Sequence, residues 1–281
     1  MYASRQPTPD DIAAVRSAFD ADRLVDICQT DDFTRWADRF ELRPHADGSE
    51  RFYWHRDNGS SVLAVAHLDT VQDDRTCQVV DTASGLLAVS GGLDDRLGAY
   101  VILELLPALG ITCDILLTTD EEIGGSTARD FVPSKEYDWM IEFDRGGTDV
   151  VAYQYDSKEL GEMVEDAGAR MGQGSYSDIC ELEHLGCVGL NWGVGYQDYH
   201  SPRAHAWLDD TFRMLARFQR FHRANEGYYL PHDPMPVDTS AWLDSEIVAD
   251  CGDLIDLADE LSYVETDGGF LLCYLCGHDQ S

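Results

Sequence analysis

His67 and Asp69 close AVAHLDTV, Asp94 and Asp95 sit in SGGLDDRLG, Glu121 and Glu122 in LLTTDEEIGG, Asp144 in WMIEFDRGG, and His200 in GYQDYHSP. All lie just past apolar runs, and imidazoles and carboxylates are the side chains that bind divalent cations. Together they offer each of two cations an imidazole and a carboxylate, with one carboxylate to lie between them and one glutamate over. Two such ions ~3.5–4 Å apart repel, and a bridging carboxylate offsets that repulsion. Water beside the pair acidifies toward neutrality, and a carboxylate that is not a ligand can take its proton. This is the inventory of a two-metal hydrolase. A single Asp after a strand ordinarily caps a turn; an ordered set with matching chemistry is hard to explain that way.

These groups need a scaffold that brings distant segments together. Residues 10–40 read as helical, with Ile12, Val15, Phe19, Leu24 and Ile27 near helical spacing. RFYWHR and SSVLAVAH read as a hairpin around Asp57-Asn58-Gly59, and CQVVDT with LLAVS as a second hairpin near Ser84-Gly85. Helix and strand then alternate. Residues 99–109 read as helix, 113–119 as strand, a short helix follows Gly125, and 137–144 and 149–155 read as strands. Next come helices at 157–171 and 178–185, a strand at 187–194 and a long helix at 206–224. Alternation of this kind predicts an α/β fold: a mostly parallel, doubly wound mixed sheet with helices on both faces. Open sheets of this class bind ligands at the carboxyl ends of their strands, where His67, Glu121-Glu122, Asp144 and His200 are expected.

The motifs resemble those of the dinuclear zinc exopeptidase superfamily, which includes leucyl-type and tetrahedral aminopeptidases and the carboxypeptidase G and acetylornithine deacetylase type. The matching pieces are AHLDT, GGLDDRLG, DEEIG, EFD and YHSP, over roughly residues 50–220. The resemblance implies a zinc-exopeptidase fold with two divalent ions, zinc foremost, cobalt and manganese fitting the same ligands. It implies that His67 and Asp144 hold one ion, Glu122 and His200 the other, and that Asp94 or its neighbour Asp95 bridges them. Glu121 takes the place of the general base, and Asp69 that of the carboxylate orienting His67. Only 55 residues separate Asp144 from His200, too few for the dimerising lid of the carboxypeptidase G type. The arrangement is thus nearest the leucyl aminopeptidases.

Tyr176 and Asp178 in GQGSYSDIC stand where relatives place a loop beside the substrate, and Ser177 also reads as a helix cap. Arg203 suits a substrate carboxylate or a surface ion pair. His45, His184 and His205 read as packing or surface residues. No Lys or Arg occurs after Arg223, and PHDPMP reads as a linker, dividing the chain into a catalytic domain, 1–227, and an acidic appendage, 228–281. Within the appendage Cys251, Cys273, Cys276 and His278 form either a structural zinc site or ordinary thiols.

With 53 acidic against 20 basic residues the net charge is −33, which excludes nucleic acid and anionic membranes as natural partners. The first residues lack the apolar core of a secretory signal, and no apolar run reaches the ~20 residues of a membrane span. Eight scattered cysteines fit reduced thiols in a cytoplasmic protein. The leading expectation is an aminopeptidase or other exopeptidase acting on peptides. The alternatives are a deacylase or amidase acting on N-acyl amino acids, and a non-catalytic acidic binding protein on the same fold.

Overall fold

The strand Val62–His67 (β3) is six consecutive buried residues, VLAVAH. An unbroken apolar run of this kind marks a strand covered on both faces. In the computed structural model, which describes residues 6–36, 39–44 and 50–233 with the backbone of short strands inside 263–280, β3 is the centre of a seven-stranded sheet. The other strands are Arg39–Pro44 (β1), Glu50–Arg56 (β2), Asp114–Thr118 (β6), Trp139–Glu142 (β7), Val150–Val151 (β8) and Gly189–Trp192 (β9), in the order β1-β2-β6-β3-β7-β9-β8. The central strands β6, β3, β7 and β9 run parallel, and the outer pairs are antiparallel. The fold is therefore a mixed α/β sheet with a parallel core.

Strand alternation assigns the two faces. Trp139 and Trp192 point to one side, where they meet Phe218 and Phe221 of the helix Leu208–Asn225 (α6) at ring distances of 5.5–6.4 Å. Phe19, after helix Pro9–Ala18 (α1), wedges between Phe212 and Tyr100, 5.4 and 5.6 Å from their rings. Tyr100 ends the helix Leu93–Tyr100 (α3), which continues through a π turn, Val101–Leu105, into Leu106–Ala108 (α4). Glu142 points to the other side, toward Ser177 and a 3-10 segment, Asp178–Leu185. A second, four-stranded sheet, β10-β11-β5-β4, joins Tyr196–Gln197 (β10) and His205–Trp207 (β11) to the hairpin Gln78–Thr82 (β4) and Gly85–Val89 (β5).

Several expectations are corrected. β2 and β3 are not a hairpin: β6 lies between them. The cause is Asp114, whose buried carboxylate accepts the main-chain N–H groups of Asn58 and Ser60 at 3.0 and 2.9 Å, so the Asn-Gly turn wraps the start of β6. The expected helix over 10–40 breaks at Asp20, whose side chain caps a new helix, Ala21–Gln29 (α2), by accepting from Asp22 and Arg23. Residues 39–44 are strand, paired with β2. Residues 178–185 form the expected short helix, as a 3-10 helix. Its three-residue repeat stacks Ile179 and Leu182 on one buried line. The expected strand 149–155 lasts for Val150–Val151 only, before Tyr153 takes a left-handed φ of 46°. The helix expected at 157–171 is shorter, Lys158–Asp166 (α5).

The chain past Gly227 still holds the sheet layer. Leu230 N–H donates to Asp138 O, Val188 N–H to Leu230 O, and the His232 ring lies 4.6 Å from that of Tyr155. Three backbone strands, Tyr263–Glu265 (β12), Leu271–Cys273 (β13) and Asp279–Gln280 (β14), pair antiparallel further on. The expected cluster of Cys251, Cys273, Cys276 and His278 lies outside the residues whose side chains are described.

Candidate functional site

The chain leaves β3, forms β6 on one side of it and then crosses to form β7 on the other. The crevice above β3 is therefore the switch point of the parallel sheet, where such folds place ligands. His67 ends β3, Asp120 to Glu122 follow β6, and Asp144 follows β7, so three adjacent strand ends converge. Asp94 enters from the N-terminus of α3, after the four-stranded sheet. His200 does not come from the end of β9, as expected from the sequence. Past Trp192 the chain turns at Gly195, φ 82°, into β10, and His200 lies in the turn between β10 and β11.

The side chains meet around Asp94. His67 Nε2 lies 3.3 Å from Asp94 Oδ1 and 3.7 Å from Asp144 Oδ1. His200 Nε2 lies 3.1 Å from Asp94 Oδ2 and 2.9 Å from Glu122 Oε2. One carboxylate is thus divided between two imidazoles, each of which has a second carboxylate of its own. Asp95 is turned away into the core, where it accepts the Gly98 N–H at 3.1 Å. Of the two neighbours, Asp94 is thus the one whose carboxylate faces both imidazoles. Glu121 Oε2 stands 3.8 Å from His67 Nε2 and takes no part in the His200 pairings.

Asp69 meets His67 mainly through its main chain. His67 Nδ1 donates to the Asp69 main-chain oxygen at 3.0 Å, with the carboxylate farther, at 3.5 Å. The Asp69 carboxylate accepts the N–H groups of Glu121 and Glu122 at 3.4 and 3.1 Å, fixing the glutamate pair.

Electrostatics follow from crowding of acids. Burial pushes Glu121 up to about 9; His67 opposes this, and Asp144, Asp178 and Asp94 reinforce it. Burial and the neighbouring Asp94 raise Asp144 to about 7. Asp94 goes the other way: burial disfavours its charge, but the His200 and His67 imidazoles beside it hold it well below the usual carboxylate range. His200 is raised to about 10 by Asp94 and Glu122. His67, although fully buried, is raised by Asp144, Asp69 and Asp94.

His67, Asp94 and Glu122 can hold a metal ion, their ligand atoms all lying within 4.8 Å of one another. The donors fit such an ion in two further respects. His67 Nε2 is buried without a hydrogen-bond partner. Tetrahedral ligation at ~2.0–2.1 Å sets adjacent ligand atoms ~3.3 Å apart, and the four imidazole–carboxylate separations around Asp94 span 2.9–3.7 Å.

The other expected site residues lie differently. Asp178 is fully buried and accepts from Thr118 Oγ1 at 2.6 Å and from Ser126, beneath the rim rather than at its surface. Tyr176 donates its hydroxyl to Glu181 at 3.0 Å. Arg203 is exposed and makes no ion pair among the described residues. Ser177 gives no side-chain cap; its hydroxyl donates to Glu142. Two contacts escaped the sequence reading. The Tyr196 hydroxyl donates to Asp144 Oδ1 and, at 3.2 Å, to Asp94 Oδ1. Gln72 Nε2 donates to His200 O at 3.1 Å. Tyr196 sits in the quoted GYQDYHSP, but nothing in that string marks one tyrosine for this place.

No family model matches the chain, and no curated protein matches it. Among solved structures it is similar to a tripeptidase from Staphylococcus aureus, at 10% identity and TM-score 0.49 over 75% of this chain and 97% of that one. It is similar to aminopeptidase PepT from Bacillus cereus, at 10% identity and TM-score 0.49 over 76% and 99%. It is also similar to a Zn-dependent exopeptidase from Parabacteroides distasonis, at 15% identity and TM-score 0.43 over 77% and 90%. At these identities the likeness is one of fold. Among the described residues no helix is long and apolar enough to cross a membrane.

Proposed function

We propose that the chain is a metal-dependent hydrolase that cleaves a peptide bond next to a free amino terminus with the help of two divalent cations, zinc first among them. The observation that carries this reading is the sharing of Asp94 between His67 and His200, at 3.3 and 3.1 Å. On this reading His67, Asp94 and Asp144 would hold one cation, and Asp94, Glu122 and His200 the other. Such a pair supplies Lewis acidity toward the substrate carbonyl and lowers the pKa of water.

The chain's own residues do the rest. Glu121 is free of the imidazole–carboxylate pairs around His200 and stands 3.8 Å from His67 Nε2, beside the ligands, so it suits the carrying of a proton between steps. It takes a proton from the attacking water, whose hydroxyl joins the acyl carbon. It returns that proton to the amine as the C–N bond breaks. Asp69 keeps His67 oriented and the two glutamates in place, through the bonds described above. The net charge of −33 favours a substrate ammonium over a second carboxylate, which supports an amino-terminal preference. The acidic stretch beyond the catalytic domain is proposed as an appendage.

The test is a screen of the purified chain, loaded with zinc, cobalt or manganese, against aminoacyl amides and their N-acylated counterparts. Turnover of the free-amine set alone supports the aminopeptidase. Turnover of the blocked set alone makes the chain a deacylase, and no turnover of either favours a binding protein.

A further inference from the structure

We propose that Tyr196 is a positioning residue for one of the two cations only: its hydroxyl fixes the Asp144 and Asp94 oxygens that face His67 and leaves the Glu122–His200 side alone. This rests on the two-cation reading of the site. Tyr196 is 3% exposed and belongs to β10, in the four-stranded sheet rather than the main one. Its hydroxyl reaches across to the main sheet's rim. There it donates to Asp144 Oδ1 and lies 3.2 Å from Asp94 Oδ1. These are the same two oxygens that face His67 Nε2, at 3.7 and 3.3 Å. A carboxylate oxygen carries lone pairs enough to accept a hydroxyl and still face a cation. The hydroxyl can therefore aim both oxygens without occupying their remaining lone pairs.

The approach is built into the backbone. Gly146, two residues past Asp144, bridges to Tyr196, and a Cβ there would stand 2.8 Å from the Tyr196 main-chain oxygen. A side chain at this position would push the tyrosine strand away from Asp144. On the other side of the site Glu122 and His200 pair directly, at 2.9 Å, and the Tyr196 hydroxyl bonds to neither. The Tyr196 ring does touch Tyr199, 5.8 Å between centroids, but a phenylalanine keeps that contact.

The test is zinc titration calorimetry on the metal-free full chain, with the visible spectrum of the cobalt-loaded protein as a second reading. Tyr196→Phe is expected to weaken one of two zinc affinities by roughly 10–100-fold and leave the other unchanged. Gly146→Ala, which displaces the hydroxyl while keeping it, is expected to weaken the same one. In an Asp144→Ala background, Tyr196→Phe is expected to add less than it does in the wild type, because only its contact with Asp94 is left. An unchanged melting temperature of the metal-free Tyr196→Phe protein separates loss of cation grip from loss of fold. Affinities that fall together, or not at all, overturn the proposal, as does full additivity in the double variant. A wild-type chain that takes up no zinc defeats the two-cation reading itself.

Discussion

Asp69 Oδ2 accepts the main-chain N–H of Glu122 at 3.1 Å, tying the end of β3 to the end of β6. The residue after His67's neighbour thus sets where both glutamates stand. Asp69→Ala removes this acceptor and is expected to weaken zinc binding by about 10–100-fold, with Asp69→Asn, which keeps one acceptor oxygen, losing less. Equilibrium dialysis against zinc checks the order; equal affinity in all three proteins would make the contact incidental.

Glu121 lies 3.8 Å from His67 Nε2 and outside the His200 pairings. Glu121→Gln keeps its size and removes its proton chemistry. The expected result is a fall in kcat of about 10²–10⁴ with zinc content unchanged. If the variant loses an ion instead, Glu121 is a ligand and the base must be sought elsewhere.

Cation uptake should depend on pH, and its sign follows from the shifts. Asp144 at about 7 and His200 at about 10 are both raised, so near neutrality the metal-free ligands carry protons. A cation needs the deprotonated ligands and must displace those protons. Affinity therefore rises with pH, by about tenfold per unit for each proton released. Calorimetry at pH 7 in buffers of different ionisation heat reads the released protons; heats independent of buffer would contradict the sign.

Asp114 supports the scaffold without touching the site. Its buried carboxylate takes Asn58 and Ser60 N–H groups, the Tyr137 hydroxyl at 3.0 Å and Lys135 Nζ at 2.6 Å. Asp114→Ala leaves those donors without their acceptor and is expected to cost about 2–4 kcal/mol in urea unfolding. A loss below ~0.5 kcal/mol would mean water replaces the carboxylate.

Much of this molecule was readable before its coordinates. Val62–His67 and Trp139–Glu142 declared themselves as buried strands because an apolar run needs cover on both faces. The long helix read at 206–224 is α6, Leu208–Asn225. Pairing was less legible. The Asn58-Gly59 turn carries the local signature of a hairpin, and only the long-range partner Asp114 reveals that β6 intervenes. The ligand types around Asp94 were visible as residues, and their order along the chain matched a known pattern. The division of labour within neighbours, Asp94 against Asp95 or side chain against backbone at Asp69, depends on directions that a string of letters does not carry. Tyr196 was hidden for the same reason, since its role arises where the small sheet touches the large one.

The central claim is that Asp94 joins two cations. Counting ions per chain by mass spectrometry after exhaustive dialysis at a fixed low free zinc concentration tests it most directly. The account predicts about two in the wild type, about one in Asp144→Ala and in His200→Ala, and fewer than one in Asp94→Ala. A wild type holding a single ion, or an Asp94→Ala protein that still holds two, would contradict it.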